Sequence, residues 1–344
     1  MEKQNTEYRI NKENIILINS NHSLYILASE FCILTSVHEE IMNFRKISPA
    51  LIILITLSAS VASAEPVKIM ASIYPVADMV RQVGGDRVHV TVVVPPGASP
   101  HTFELKPAMV QAFSASRLFF MVGAGLEFWA NSAVRSSGKS LETVVLSDDM
   151  PLIQMVGHHH DKHKQKANDQ SHHESANPHV WLDPVLAKQM VARIVQALSR
   201  ADAEHAAEYR LQGDAYSKKL DDLDKSIRET VDAFKIKKYV AFHPAWDYFA
   251  GRYGLECDGV IEASPGRNQS PKMIADMVNQ IRESNIQAVF AEPQFNARVA
   301  EVIAREAGVR VLFLDPIGGP DIRGGQTYLD MMNHNMDILR EAMQ

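Results

Sequence analysis

Residues 202–234 form a long helical stretch in which Gly213 is the one breaker. Their apolar positions Tyr209, Tyr216, Leu220, Leu223, Ile227 and Val231 recur at intervals of 7, 4, 3, 4 and 4, which trace one face of an α-helix. At ~1.5 Å per residue the stretch would run ~50 Å, more than one small domain needs. It reads as a rigid connector, with a separate lobe on either side.

Both flanks alternate short apolar strands with amphipathic helices. Before the connector, strand patterns occupy 68–73, 87–94, 117–122 and 143–146, with helical patterns at 74–83, from Pro107 onward, and at 126–135. The run Val88-His89-Val90-Thr91-Val92-Val93-Val94 is stopped by Pro95-Pro96-Gly97. After the connector, strands are expected at 239–242, 255–261, 287–291 and 309–314. Helices are expected at 245–253, 271–283, 297–306 and 326–343. This order implies an α/β protein: two Rossmann-like lobes, each with a largely parallel sheet, joined by one long connecting helix.

The N-terminal region reads differently. Met42, Arg45 and Lys46 open a basic segment, residues 50–57 are apolar, and Ala62-Ser63-Ala64 matches a small-residue cleavage pattern. Residues 42–64 are therefore expected to be an export signal, cleaved before Glu65. No Cys follows the apolar run to carry lipid. Residues 1–41 show no clear pattern and are expected to be a non-native leader from an upstream start, belonging to no fold. The remaining divisions are an N-terminal lobe at 65–201, the connector at 202–234 and a C-terminal lobe at 235–344.

The chain carries 35 basic and 41 acidic residues, a formal charge of −6, with no basic stripe. Nucleic acid is excluded as a natural partner. Beyond Ala64 the only cysteine is Cys257, so no internal disulfide is available and the fold must rest on its core. Six of the 14 histidines, His158, His159, His160, His163, His172 and His173, crowd into residues 157–177. That polar stretch lacks apolar periodicity and is expected to be a mobile loop whose clustered imidazoles could hold a metal weakly.

Three other histidines lie where an α/β fold places ligands. His101 follows a strand through Pro100, and His243 directly follows the strand at 239–242. His179 sits in Asn177-Pro178-His179-Val180-Trp181-Leu182-Asp183-Pro184. Asp315 follows the strand at 309–314. Open α/β sheets bind ligands beyond the carboxyl ends of their strands. Three imidazoles and a carboxylate suit tetrahedral zinc, whereas manganese favours more oxygen. Spacing alone does not bring the four together. Asp183 is placed to cap the helix that starts at Pro184. Trp181, Trp246 and Tyr248 read as core or cleft wall. Glu262 and Glu292 follow strands, where each can either back a ligating histidine or face solvent.

Four segments together resemble one family. They are Gly97-Ala98-Ser99-Pro100-His101, residues 177–184, Phe242-His243-Pro244-Ala245-Trp246-Asp247-Tyr248-Phe249, and Leu314-Asp315-Pro316-Ile317-Gly318. They resemble the metal-binding solute-binding proteins of ABC importers, the ZnuA-type zinc group of the TroA-like superfamily. The resemblance runs from about Val67 to the C-terminus. It implies a metal between two lobes, held by His101, His179 and His243, with Asp315 matching the C-lobe carboxylate. His243 stands where manganese-binding relatives usually carry Glu, which points to Zn2+ over manganese or iron. The implied function is capture of Zn2+ in the periplasm by a monomer and delivery to an importer permease with its cytoplasmic ATPase. A periplasmic zinc donor is a further implied partner. No catalysis is expected, because no motif pairs a ligand with a general base. Zinc affinity is expected to fall below pH ~6.5, the ordinary histidine pKa.

Overall fold

The computed structural model describes residues 9–11, 14–18, 24–27, 65–137, 141–155, 176–262 and 270–344. The signal at 42–64 and the six histidines of the polar loop lie outside the described residues. The chain divides into two compact units, Met1–Ala64 and Glu65–Gln344.

In the first unit, β1 (Arg9–Asn11), β2 (Asn14–Ile18) and β3 (Leu24–Leu27) pair as an antiparallel meander. Residues 1–41 thus contain paired strands where none were expected. In sequence the two apolar runs that make β2 and β3 are separated by Asn19-Ser20-Asn21-His22-Ser23, a polar run rich in turn-forming residue types.

The second unit holds two four-stranded sheets, each entirely parallel. The first contains β4 (Val67–Ala71), β5 (Val88–Val92), β6 (Leu118–Met121) and β7 (Glu142–Val145) in the order β5-β4-β6-β7. The second contains β8 (Lys238–Ala241), β9 (Glu256–Val260), β10 (Ala288–Ala291) and β11 (Arg310–Phe313) in the order β11-β10-β8-β9. Parallel neighbours need crossovers, and helices supply them: α1 (Tyr74–Gly84), α2 (Pro107–Ser114) and α3 (Ala130–Ser137) in the first lobe.

Helix α4 (Pro184–Ala201) then leads into the connector, α5 (Ala206–Asp232). The connector starts four residues later than its apolar period suggests. Asp202 interrupts the chain between the two helices, because its carboxylate accepts from the Tyr209 hydroxyl at 2.6 Å and meets His205 Nδ1 at 2.8 Å. The buried face of α5 is the one its period marks, Tyr209 to Val231, with Gly213 included. It packs on α1 and α4 of the first lobe and on two helices of the second, α6 (Asp247–Tyr253) and α9 (Tyr328–Met343). Between these lie α7 (Pro271–Glu283) and α8 (Arg298–Ala307). Among the described residues no helix is long and apolar enough to cross a membrane.

The second sheet divides its side chains by the two-residue strand period. Tyr239, Ala241, Ala288 and Phe290 join a large core that runs through the first lobe and α5. Val240, Phe242, Val289 and Ala291 face a smaller core beneath α7 and α8. The lobes therefore share one apolar interior. Polar pins cross it as well. Asp78 Oδ2 accepts from the Tyr328 amide at 2.9 Å, Tyr74 donates its hydroxyl to the Gln326 carbonyl at 2.6 Å, and Tyr328 donates its own to the Trp181 carbonyl at 2.7 Å.

Candidate metal centre

Each histidine reaches the centre from a different kind of backbone. His101 lies in the loop after β5, which Pro95 and Pro96 keep from continuing as strand. His179 precedes a single helical turn, Val180–Leu182, and the cap of α4. Asp183 is that cap, as expected: its Oδ1 accepts from the Val185 amide at 2.8 Å and its Oδ2 pairs with Arg252 at 2.7 Å. His243 stands in extended conformation just past β8, where Pro244 begins a short turn.

The three side chains converge. His179 Nε2 lies 3.1 Å from His101 Nε2 and 3.1 Å from His243 Nε2, and all three lie within 4.8 Å of one another. Two nitrogens at ~2.0–2.1 Å from a tetrahedral zinc would be about 3.3 Å apart, so the separations suit a shared ion. His179 and His243 are 3% and 5% exposed, and His101 is partly buried. Trp181 packs on the His179 ring and Phe295 meets the His243 ring edge-on.

Two of the rings are held from behind. His179 Nδ1 meets Asn177 Oδ1 at 2.8 Å. The amide cannot be flipped, because its Nδ2 donates to the Pro244 carbonyl at 2.7 Å and to Asp247 Oδ2 at 3.0 Å. His243 Nδ1 meets Glu292 Oε1, a buried carboxylate. Each ring is thus engaged at Nδ1, and the two Nε2 atoms point at each other across 3.1 Å. A cation seated between them would take both nitrogens as ligands.

Burial favours the neutral form of two of the three rings. It lowers the His101 pKa to about 4, with a smaller contribution from His243. It lowers His179 well below the ordinary value, again with help from the neighbouring histidines. Burial raises Glu292, and His243 pulls it back down.

Asp315 does not join the three-histidine cluster. Its Oδ1 is engaged by Gln294 Nε2 at 2.7 Å and by the Ile317 and Gly318 amides at 3.0 and 3.1 Å, so it ties its own loop. Its Oδ2 is buried with no partner among the described residues, as are Glu292 Oε2 and Gln294 Oε1. Glu292 and Gln294 line the cavity beside the three histidines, together with Phe295, Pro316 and Ile317. Glu292 settles the choice left open for it: it backs His243. The role of Asn177 was not read from the sequence, although a signal existed. Asn-Pro-His allows the Asn oxygen to accept from the amide two residues on, and Asn177 Oδ1 does so from His179 at 3.0 Å.

Comparison with known proteins places this geometry. The chain is 28% identical over 297 residues to the zinc-binding protein AdcA of Streptococcus pyogenes serotype M3, covering 83% of this chain and 58% of AdcA. The chain thus spans little more than half of that relative. It is 26% identical over 286 residues to the high-affinity zinc uptake system protein ZnuA of Bacillus subtilis, covering 82% of this chain and 89% of that one. A crystal structure of ZnuA superposes with a TM-score of 0.71 at 26% identity, over 81% of this chain and 100% of the other. Residues 69–342 match the family described as zinc-uptake complex component A, periplasmic, and the chain belongs to that ZnuA family.

Proposed function

We propose that this protein captures a zinc ion at His101, His179 and His243 and delivers it to an ABC-type importer permease with its cytoplasmic ATPase. The observation that carries the reading is the convergence of three ring nitrogens, with the Nε2 atoms of His179 and His243 held 3.1 Å apart by partners on the far side of each ring. A three-nitrogen donor set favours zinc over manganese, which prefers oxygen. The relatives named above are zinc-binding and zinc-uptake proteins, which supports an exported cargo binder without catalysis. Periplasmic residence, cleavage before Glu65 and a monomeric state belong to the same proposal, as does a periplasmic zinc donor.

Asp315 fits this reading as a fourth ligand only if its Oδ2 moves toward the ion; otherwise water fills the position. The histidines at 158–173 would serve as a weak auxiliary site. The test is zinc stoichiometry and affinity, measured by chelator competition on residues 65–344. Wild type is expected to bind one ion tightly. His101→Ala and His243→Ala are each expected to lose at least 10-fold in affinity. Wild-type affinity in both variants, or tighter binding of manganese than of zinc, overturns the proposal.

A further inference from the structure

Asn177 is 0% exposed and uses every hydrogen-bonding position of its side-chain amide. Oδ1 accepts from the His179 amide at 3.0 Å and from His179 Nδ1 at 2.8 Å. Nδ2 donates to the Pro244 carbonyl at 2.7 Å and to Asp247 Oδ2 at 3.0 Å. An amide offers two donors and two acceptor positions, and these four bonds exhaust them. One end of Asn177 therefore grips the ring of one metal ligand, and the other grips the turn that directly follows another. The Tyr248 hydroxyl closes the contact by donating to the Asn177 carbonyl at 2.7 Å.

We infer that Asn177 is a positioning residue that sets the spacing of His179 and His243. The two then form a preassembled half-site, to which His101 is added by its own loop. The inference rests on the zinc reading above. It is carried by an asymmetry in how the ligands are anchored. Residues 177–183 precede the connector, yet several of their side-chain bonds run to the second lobe. Besides the Asn177 contacts, Trp181 Nε1 donates to the Pro316 carbonyl at 2.7 Å, and Arg252 pairs with Asp183 at 2.7 Å. His179 and His243 consequently belong to one bonded body. The loop of His101 is held locally, with the Ala98 amide on the Pro95 carbonyl at 3.1 Å and the His101 amide on Ser99 Oγ at 3.3 Å. Among the described residues no side chain orients His101 Nδ1. Fixed spacing between two ligands lowers the ordering cost of binding, which is how partners behind a ligand act on affinity.

A double-mutant cycle tests this. Asn177→Asp is isosteric and keeps an acceptor for His179, but it sets a second oxygen against the Pro244 carbonyl and the Asp247 carboxylate. Zinc affinity is measured by chelator competition in wild type, His101→Ala and His243→Ala, each with and without Asn177→Asp. Apo melting temperatures and the absorption of the Co2+-loaded proteins are recorded alongside. Asn177→Asp is expected to weaken zinc by 10- to 100-fold in the wild-type and His101→Ala backgrounds. In His243→Ala, where no pair is left to space, its effect is expected to stay within about 2-fold, the scatter of independent sites. Adding Asp247→Asn, which returns a donor to the contact, is expected to recover most of the loss. Should Asn177→Asp fail to fold, Asp247→Ala replaces it, with the same dependence on His243 expected. An equal loss in all backgrounds, or a loss that follows melting temperature and is not recovered by Asp247→Asn, overturns the inference. If the single histidine variants keep wild-type affinity, the zinc reading fails instead. If they lose zinc while Asn177→Asp binds normally, only the positioning role fails.

Discussion

Burial removes protons from the ligands before any metal arrives. The His101 pKa lies at about 4, and His179 is lower than its ordinary value for the same reason. Both groups have a folded pKa below the unfolded one. Between about 4 and 6.5 the unfolded chain therefore binds the protons that folded His101 refuses, so the apo fold loses stability as pH falls through that window. Zinc binding at pH 6 displaces no proton from either ring. Calorimetry in buffers of different ionisation enthalpy is expected to report at most one proton released per zinc at that pH. Release of two or more would show that His101 or His179 is charged in the apo protein. This moves part of the expected pH response well below 6.5, a shift the sequence does not show because burial is a tertiary property. The structure clusters His101, His179 and His243, which strand ends only suggested and which the four-segment resemblance singled out. Asp315 was legible by position only, since the bonds that divert its Oδ1 come from Gln294 and two amides of its own loop.

Elements were read more fully than their contacts. The strands of both sheets and the face of α5 follow from short-range period, which a linear chain records. What the period cannot record is how near a neighbour lies. Gly213 looked like a flaw in the connector, but a Cβ built there would stand 2.3 Å from Val195 Cγ2 of α4. The glycine is thus a point of close approach between α4 and α5. Alanine would gain ~1 kcal/mol of helix propensity and lose ~1–3 kcal/mol to overpacking. Gly213→Ala is therefore expected to lower the thermal midpoint, read by calorimetry. A higher midpoint would show that Val195 gives way. A similar approach occurs in the cleft, where a Cβ on Gly319 would stand 2.7 Å from Pro96 Cβ. The loop carrying His101 thus rests directly against the loop that follows Asp315.

For the whole molecule, a shared core and the pins at Asp78, Tyr74 and Tyr328 resist separation of the lobes. A swing large enough to open the cleft fully would expose part of that core to water. Scattering from residues 65–344 is expected to give a radius of gyration near 19 Å with or without zinc. A contraction on zinc loading beyond measurement error would reveal a hinge that the packed connector is expected to prevent. The same pins join residues far apart in sequence: Tyr328 reaches Asp78 across 250 positions and Trp181 across 147. A chain made from its N-terminus onward holds Asp78 and Trp181 without their Tyr328 partner until α9 has begun to be synthesised. Assembly of the centre thus waits until Tyr328 has been added, and a chain truncated before it would carry every ligand and lack the brace behind them.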